Sequence, residues 1–151
     1  MPNIELTNMC MIYDRVNNKV LVQERMKSWP GISFPGGHVR DGESIVESTI
    51  REVKEETGLI VSNLRLCGVI YWYNDETKDR YFVFNFKTDT YSGELIKETD
   101  EGRVFWVDVD VLPTLNLSRG LLERLPMFLE DKYSEGFGTW NHKGDSRLRF
   151  F

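Results

Sequence analysis

Residues 36–59 open with Gly36-Gly37-His38-Val39-Arg40-Asp41-Gly42-Glu43 and close with Arg51-Glu52-Val53-Lys54-Glu55-Glu56-Thr57-Gly58-Leu59, and the reading of this stretch decides the fold. From Ser44 to Thr57 the signals are helical. Ser44 or Asp41 serves as N-cap, Val46, Ile50 and Val53 form a stripe to be buried, and Gly58 is placed to end the helix in a left-handed cap. On that helix Glu52, Glu55 and Glu56 are related by i, i+3 and i, i+4 steps, so three carboxylates project from one arc roughly 100° wide. Each acidic pair of this kind disfavours a lone helix by about 0.2–0.5 kcal/mol. The macrodipole also repels anions in the C-terminal half. A solvated acidic face is the ordinary reading of such glutamates, yet helix formation alone does not select this crowding.

A hard divalent cation removes the conflict, because Mg²⁺ and Mn²⁺ take oxygen ligands and turn mutual repulsion into coordination. The glycines at 36 and 37 let the backbone approach closely, so the Gly36 carbonyl is available as a further oxygen. Such an ion also binds phosphate. The chemistry implied is attack of water on phosphorus, with a carboxylate orienting or deprotonating the water.

Gly37, five residues, Glu43, seven residues, then Arg51-Glu52-Val53-x-Glu55-Glu56-x-Gly58-Leu59 resembles a complete Nudix box spanning residues 37–59. The resemblance implies the Nudix fold, of α/β (α+β) class: an α/β/α sandwich around a mixed β-sheet that hydrolyses a nucleoside diphosphate linked to another moiety, with Mg²⁺ and with Mn²⁺ as a possible substitute. Phe34-Pro35-Gly36-Gly37, and Glu101 five residues before Trp106 with Asp110 and Pro113 following, resemble the MutT-type oxidised-nucleotide diphosphatases. That implies a metal held by the Gly36 carbonyl and Glu56, with Glu52 and Glu55 completing the site and Glu101 as an additional ligand or base. Glu43 and Arg51 then brace loop and helix by a charged hydrogen-bond pair behind the ligands, beside Gly37. The general base is Glu52 or, alternatively, Glu101. Asn116, three residues after Pro113, corresponds to a purine-reading amide, and an amide suits the edge of guanine or 8-oxoguanine. Because Leu117 opens an apolar-periodic stretch, Asn116 also reads as a helix N-cap. Arg25, at the end of a strand, corresponds to a phosphate- or nucleoside-contacting arginine. The implied activity is conversion of 8-oxo-dGTP or a related purine triphosphate to the monophosphate and pyrophosphate. Other nucleoside triphosphates, ADP-ribose and RNA 5′ ends are the rival substrates, and a nucleotide sensor without turnover is the rival class.

Outward from this centre, Asn8 to Tyr13 and Lys19 to Glu24 read as a hairpin with its turn at Asn17 and Asn18. Trp29-Pro30-Gly31 and Phe34-Pro35-Gly36-Gly37 leave room for only a short extended piece between them. Leu64 to Tyr73, Tyr81 to Thr88 and Val104 to Val109 read as strands. Leu121, Leu122, Leu125, Phe128 and Leu129 recur at helical spacing, with Pro126 kinking or restarting that helix. Trp72, Tyr73, Tyr81 and Phe82 are expected in core and sheet surface, and His38 is expected to be solvated. The tail, residues 134–151, carries Gly136, Gly138 and Gly144, and its aromatics Trp140, Phe150 and Phe151 either cover the sheet or mediate association.

The 151 residues are 40% hydrophobic and 28% charged, as expected of one globular domain over residues 1–151. Cys10 and Cys67, both in apolar runs, point to a reducing, cytoplasmic compartment. No apolar run reaches 18 residues, and no signal segment opens the chain, so a membrane partner is not expected. With a net charge of −5 and no long Lys/Arg cluster, a nucleic-acid duplex is not expected either. The partner expected is a small nucleotide, and the sequence leaves the oligomeric state open.

Overall fold

In chain order the elements are β1 (Ile4–Asp14), β2 (Lys19–Arg25), β3 (Gly31–Ser33), α1 (Ile45–Thr57), β4 (Ile60–Ser62), β5 (Arg65–Asn74), β6 (Arg80–Thr88) and β7 (Thr90–Ser92). There follow β8 (Glu98–Thr99), β9 (Gly102–Asp108), a 3₁₀ helix over Val109–Thr114, α2 (Leu121–Leu129), β10 (Glu135–Asn141), β11 (Gly144–Asp145) and β12 (Arg149–Phe150). They come from a computed structural model that describes residues 1–27 and 30–151. Trp29, part of the first Pro/Gly punctuation, lies outside the described residues.

The hairpin forms as its turn chemistry dictates. The Asp14 carboxylate accepts from the Val16 and Asn17 amides at 3.1 and 3.2 Å, and Asn18 takes a positive φ of 52°. The two strands pair only at Tyr13 with Val20 and Asp14 with Lys19, then part. β1 runs on parallel to β6, and β2 runs antiparallel to β9. Into the gap comes the chain from β3, which pairs with β2 and then crosses to β1. There the amides of Asn8 and Cys10 donate to the Gly37 and Pro35 carbonyls at 2.8 and 2.9 Å, and the Val39 amide donates to Leu6 at 2.9 Å. A Cβ on Gly36 would overlap the Asn8 carbonyl, so this crossing requires glycine.

The large sheet follows the order β11-β10-β5-β6-β1-β2-β9-β8 and is mixed, with β1·β6 and β10·β5 parallel. One helix lies on each face. Cys10, Ile12, Leu21 and Phe86 pack with Val53 of α1, while Met11, Val20, Val22 and Phe34 pack with Leu121, Leu125 and Phe128 of α2. Phe34 meets Phe128 edge-on, with centroids 5.0 Å apart. The α/β/α sandwich with a mixed sheet follows directly from this alternation of side chains on β1 and β2.

Local rules account for α1. Ser44, not Asp41, is the N-cap, its hydroxyl accepting from the Glu47 amide at 2.9 Å; Gly58 closes the helix at φ 81° with its N–H on the Lys54 carbonyl. The buried face differs from the expected stripe. Val53 is fully buried, but Val46 is 42% exposed, and Ser48, Thr49 and Glu56 go inside instead. The cause is polar: Ser48 accepts a hydrogen bond from the Asn8 side chain at 2.7 Å, which rolls the helix toward the Gly36–Gly37 crossing.

α2 begins later than expected. Its N-cap is Gly120, with no side-chain cap, so Asn116 is not a helix cap. Instead the Asn116 carbonyl accepts from the Ile32 amide at 2.8 Å. The helix runs through Pro126. The tail is part of the sheet: β10 pairs with β5, and β12 pairs with β10. Gly136 and Gly138 leave room for Ile70 and Trp72 to lie across β10. Among the described residues no helix is long and apolar enough to cross a membrane.

The Gly58 cap generates a test. A Cβ there would strike the Glu94 carbonyl and sit 2.8 Å from Ile96 Cγ1, at a φ that L-residues disfavour. Gly58→Ala is expected to cost about 1–3 kcal/mol in urea unfolding; unchanged stability would mean that the segment over the cap yields freely.

Candidate active site

The Gly36–Gly37 crossing lies against α1. The Gly36 amide donates to Glu56 Oε2 at 3.1 Å, and a Cβ on Gly37 would sit 2.6 Å from both carboxylate oxygens of Glu52. Within an extended segment the N–H and C=O of one residue face the same way. The Gly36 carbonyl therefore faces the glutamates, while those of Pro35 and Gly37 are taken by β1.

Arg51 organises the rest. Its Nε and Nη2 hold Glu43 in a two-point pair at 2.8 and 3.0 Å, and Nη2 also donates to the His38 carbonyl at 3.1 Å. The pair keeps the Glu43 carboxyl down at about 2. The brace between loop and helix is thus present. Arg51 does more than the brace requires, because Nη1 also reaches Glu52 at 3.1 Å and Glu55 at 3.2 Å. Two of the three like charges therefore have an internal counter-ion.

Glu56 has no such partner. It is 7% exposed, and burial above all, reinforced by the negative charges of Glu52 and Glu101, pushes its carboxyl up to about 8 against the opposing pull of the Gly36 amide and Arg25. These influences also locate its neighbours. Arg25 ends β2 opposite Gly102, and Glu101 sits in the adjoining turn of the β8–β9 hairpin, where its carbonyl accepts from the Met26 amide at 3.4 Å. That hairpin is tied to α1, since the Ile96 amide donates to the Thr57 carbonyl at 2.8 Å. Glu52, Glu56, Arg25, Glu101 and Gly36 are accordingly one neighbourhood.

Among the described residues no three His, Cys, Asp or Glu side chains converge closely enough to enclose an ion, because Arg51 draws Glu52 and Glu55 to one flank and Glu56 turns to Gly36. The donor set nevertheless fits a hard divalent cation. It is entirely oxygen, it includes a buried carboxylate lacking a paired cation, and glycine clears the space in front of Glu52.

On the α2 side of the crossing lies a cavity of about 690 Å³. Gly36, Gly37 and His38 line one end, and Arg25, Ser33, Trp72, Tyr81 and Arg124 are among its other walls. Asn116 is exposed and is not among the residues lining it. His38 is exposed, as expected of a solvated side chain. Trp72 and Tyr81 belong to the sheet, as expected, yet pair directly across β5 and β6 and face this space. Arg124 was legible in the sequence, for it occupies the i+3 position of the apolar stripe Leu121, Leu125, Phe128, where a charge is out of place.

An oxygen-rich cluster on a helix, faced by a diglycine crossing that also lines a cavity, defines a candidate divalent-cation site of the kind that handles phosphates. Residues 6–127 match the NUDIX domain, and the chain belongs to that family. It is 34% identical over 104 residues to the uncharacterized Nudix hydrolase YvcI of Bacillus subtilis, covering 67% of this chain and 65% of that one. It is 31% identical over 105 residues to an ADP-ribose pyrophosphatase of Methanocaldococcus jannaschii, covering 69% and 62%. It is 33% identical over 109 residues to an oxidized purine nucleoside triphosphate hydrolase of Danio rerio, covering 72% and 67%. The chain thus spans less than two thirds of the first two of these relatives. The crystal structure of a MutT protein from Bacillus halodurans superposes with a TM-score of 0.78 over 97% of both chains at 25% identity.

Glu56 predicts a pH dependence for the metal-free protein. Its folded carboxyl titrates near 8 and its unfolded one near 4.5, so the folded state holds the extra proton between those values. Stability is full below about 4.5 and is lost as pH rises through 8. In EDTA, the Tm of the wild type is expected to fall more between pH 6 and 9 than that of Glu56→Gln, each kcal/mol corresponding to about 2–4 °C. Parallel pH profiles for the two proteins would show that Glu56 is not the buried acid described.

Proposed function

We propose that this chain is a Mg²⁺- or Mn²⁺-dependent pyrophosphohydrolase of MutT type, converting a purine nucleoside triphosphate such as 8-oxo-dGTP to the monophosphate and pyrophosphate. The observation that carries the reading is a cavity lined both by Gly36 and Gly37, which border Glu56 and Glu52, and by the aromatic pair Trp72 and Tyr81. Its volume is in the range of small-ligand sites. Similarity to the Danio rerio and Bacillus halodurans proteins supports the substrate class. Similarity of the same order to an ADP-ribose pyrophosphatase favours ADP-ribose as the second reading. We place the activity in one domain spanning residues 1–151, in the cytoplasm. Support comes from two buried free cysteines and a net charge of −5, which does not suit a duplex or an anionic membrane surface.

A bound divalent cation would be held by the Gly36 carbonyl, Glu52, Glu55 and Glu56, with Glu101 as a further oxygen, and would supply charge neutralisation and polarisation of the phosphoryl group. The chain's own residues do the rest. Glu52 accepts the proton of the attacking water, with Glu101 the alternative base; the water oxygen bonds to phosphorus as the anhydride P–O bond breaks, and pyrophosphate leaves. Arg51 Nη1 donates to the Glu52 carboxylate at 3.1 Å, and Gly37 leaves open the space in front of it. Arg25 adds positive charge where the triphosphate arrives.

The test is turnover across 8-oxo-dGTP, dGTP, dATP, dCTP, ADP-ribose and a 5′-triphosphorylated RNA. A purine triphosphate is expected to lead, activity is expected to vanish in excess EDTA, and Glu52→Gln is expected to lower kcat by about a hundredfold or more with the Tm preserved. ADP-ribose as the leading substrate would replace the substrate reading. Tight nucleotide binding without turnover of any substrate would make the chain a sensor, and full activity in EDTA would falsify the metal assignment.

A further inference from the structure

Arg124 sits on α2 between the buried Leu121 and Leu125, and its Nε is sealed from solvent with no hydrogen-bond partner among the described residues. No carboxylate lies within ion-pair distance of it among those residues, whereas nearby Arg119 is matched to Asp145 at 3.2 Å. Burial draws its pKa below the usual arginine value, against the opposing pull of the Glu123 carboxylate. Arg124 is half-buried and lines the cavity, and with Nε sealed it is the remaining donors of the guanidinium that an incoming acceptor can meet. Its position says which part of a ligand that is.

The sheet register measures the offset from the phosphate end. His38, next to Gly37, bridges to Thr7 of β1, Thr7 is opposite Val83, and Tyr81 lies one side-chain step along β6 with Trp72 opposite it on β5. Tyr81 and Trp72 are therefore two and three strands from the diglycine crossing, roughly 10 and 14 Å at the usual strand spacing. Tyr81 and Arg124 line the same cavity, and α2 packs against β5 and β6. Arg124 thus stands at the aromatic end of the cavity, away from Glu52 and Glu56, where a base is seated if phosphates occupy the crossing.

Guanidinium presents only donors. The 6-keto oxygen of guanine, 8-oxoguanine or hypoxanthine accepts from it, whereas the 6-amino group of adenine meets it donor to donor. We propose that Arg124 is the specificity residue of this site, donating to the 6-keto oxygen of a purine stacked at Trp72 and Tyr81 and so selecting 6-keto over 6-amino purines. The assignment rests on the purine triphosphate reading above. It is indifferent to the 8-position, because O6 is an acceptor in both guanine and 8-oxoguanine.

The experiment compares kcat and KM for dGTP, 8-oxo-dGTP, dITP and dATP in the wild type, Arg124→Gln and Arg124→Lys, together with Kd for dGMP and dAMP in EDTA. The wild type is expected to prefer the three 6-keto nucleotides by about 10- to 100-fold, the scale of one hydrogen bond to a charged group. Arg124→Gln, whose amide both donates and accepts, is expected to bring the ratio near unity through KM and Kd. Arg124→Lys is expected to keep part of the preference and gives the same reading should the glutamine variant fold poorly. Because Nε of Arg124 has no hydrogen-bond partner among the described residues, Arg124→Gln is also expected to keep or raise the Tm. A preference that survives in both variants overturns the assignment and leaves the purine reading standing. A wild type that hydrolyses ADP-ribose but no purine triphosphate overturns both.

Discussion

The Gly36 amide and the Glu56 carboxylate meet at 3.1 Å inside the protein, and the surrounding architecture has to make that contact possible. For Gly36 to reach α1, the chain must pass between β1 and β2, which requires the hairpin to splay after two residue pairs. For the passage to lie flat against β1, residue 36 must lack a Cβ, and for Glu52 to share the space, so must residue 37. The roll of α1 that buries Glu56 also exposes Val46 and buries Ser48 against Asn8. A carboxylate is thereby kept in a place where its charge is disfavoured, a common mark of functional sites.

Seen this way, Arg51 and Glu56 divide the work of the acidic cluster. Arg51 satisfies Glu43, Glu52 and Glu55, so the helix tolerates those carboxylates with no cation present. Glu56 is left to hold a proton instead. Three glutamates that look mutually repulsive on a helical wheel are thus individually accommodated, two by an arginine and one by protonation. On the function proposed above, a divalent cation would exchange that proton for itself and compete with Arg51 for the other two, while the Arg51–Glu43 pair ties the loop to the helix.

The helix, its caps and the two strand pairs around it were readable in the sequence because each is fixed by local rules: a serine N-cap, a glycine C-cap, an Asp-Asn turn, alternating apolar residues. The acidic arc was readable for the same reason, being a matter of 3.6-residue geometry. Long-range placement was not. Asn116 sits at a plausible spacing after Pro113, but its carbonyl is spent on Ile32 and α2 starts only after Gly120, so it is not among the cavity's walls. The tail's glycines gave no period to read; their role depends on Ile70 and Trp72 lying over them, a contact made by strands some 65 residues apart in the chain. That Arg51 spans three carboxylates, rather than one, likewise emerges only when side chains share space.

On the proposed function, a divalent cation would take the place of the proton on Glu56. This exchange is tested most directly by calorimetric titration of the protein with Mn²⁺ at pH 7 in buffers of different ionisation enthalpy. With the Glu56 carboxyl raised to about 8, proton release on metal binding is expected, together with weaker binding and loss of that release in Glu56→Gln. Binding with the same apparent enthalpy in every buffer, or undiminished affinity in the glutamine variant, would contradict it.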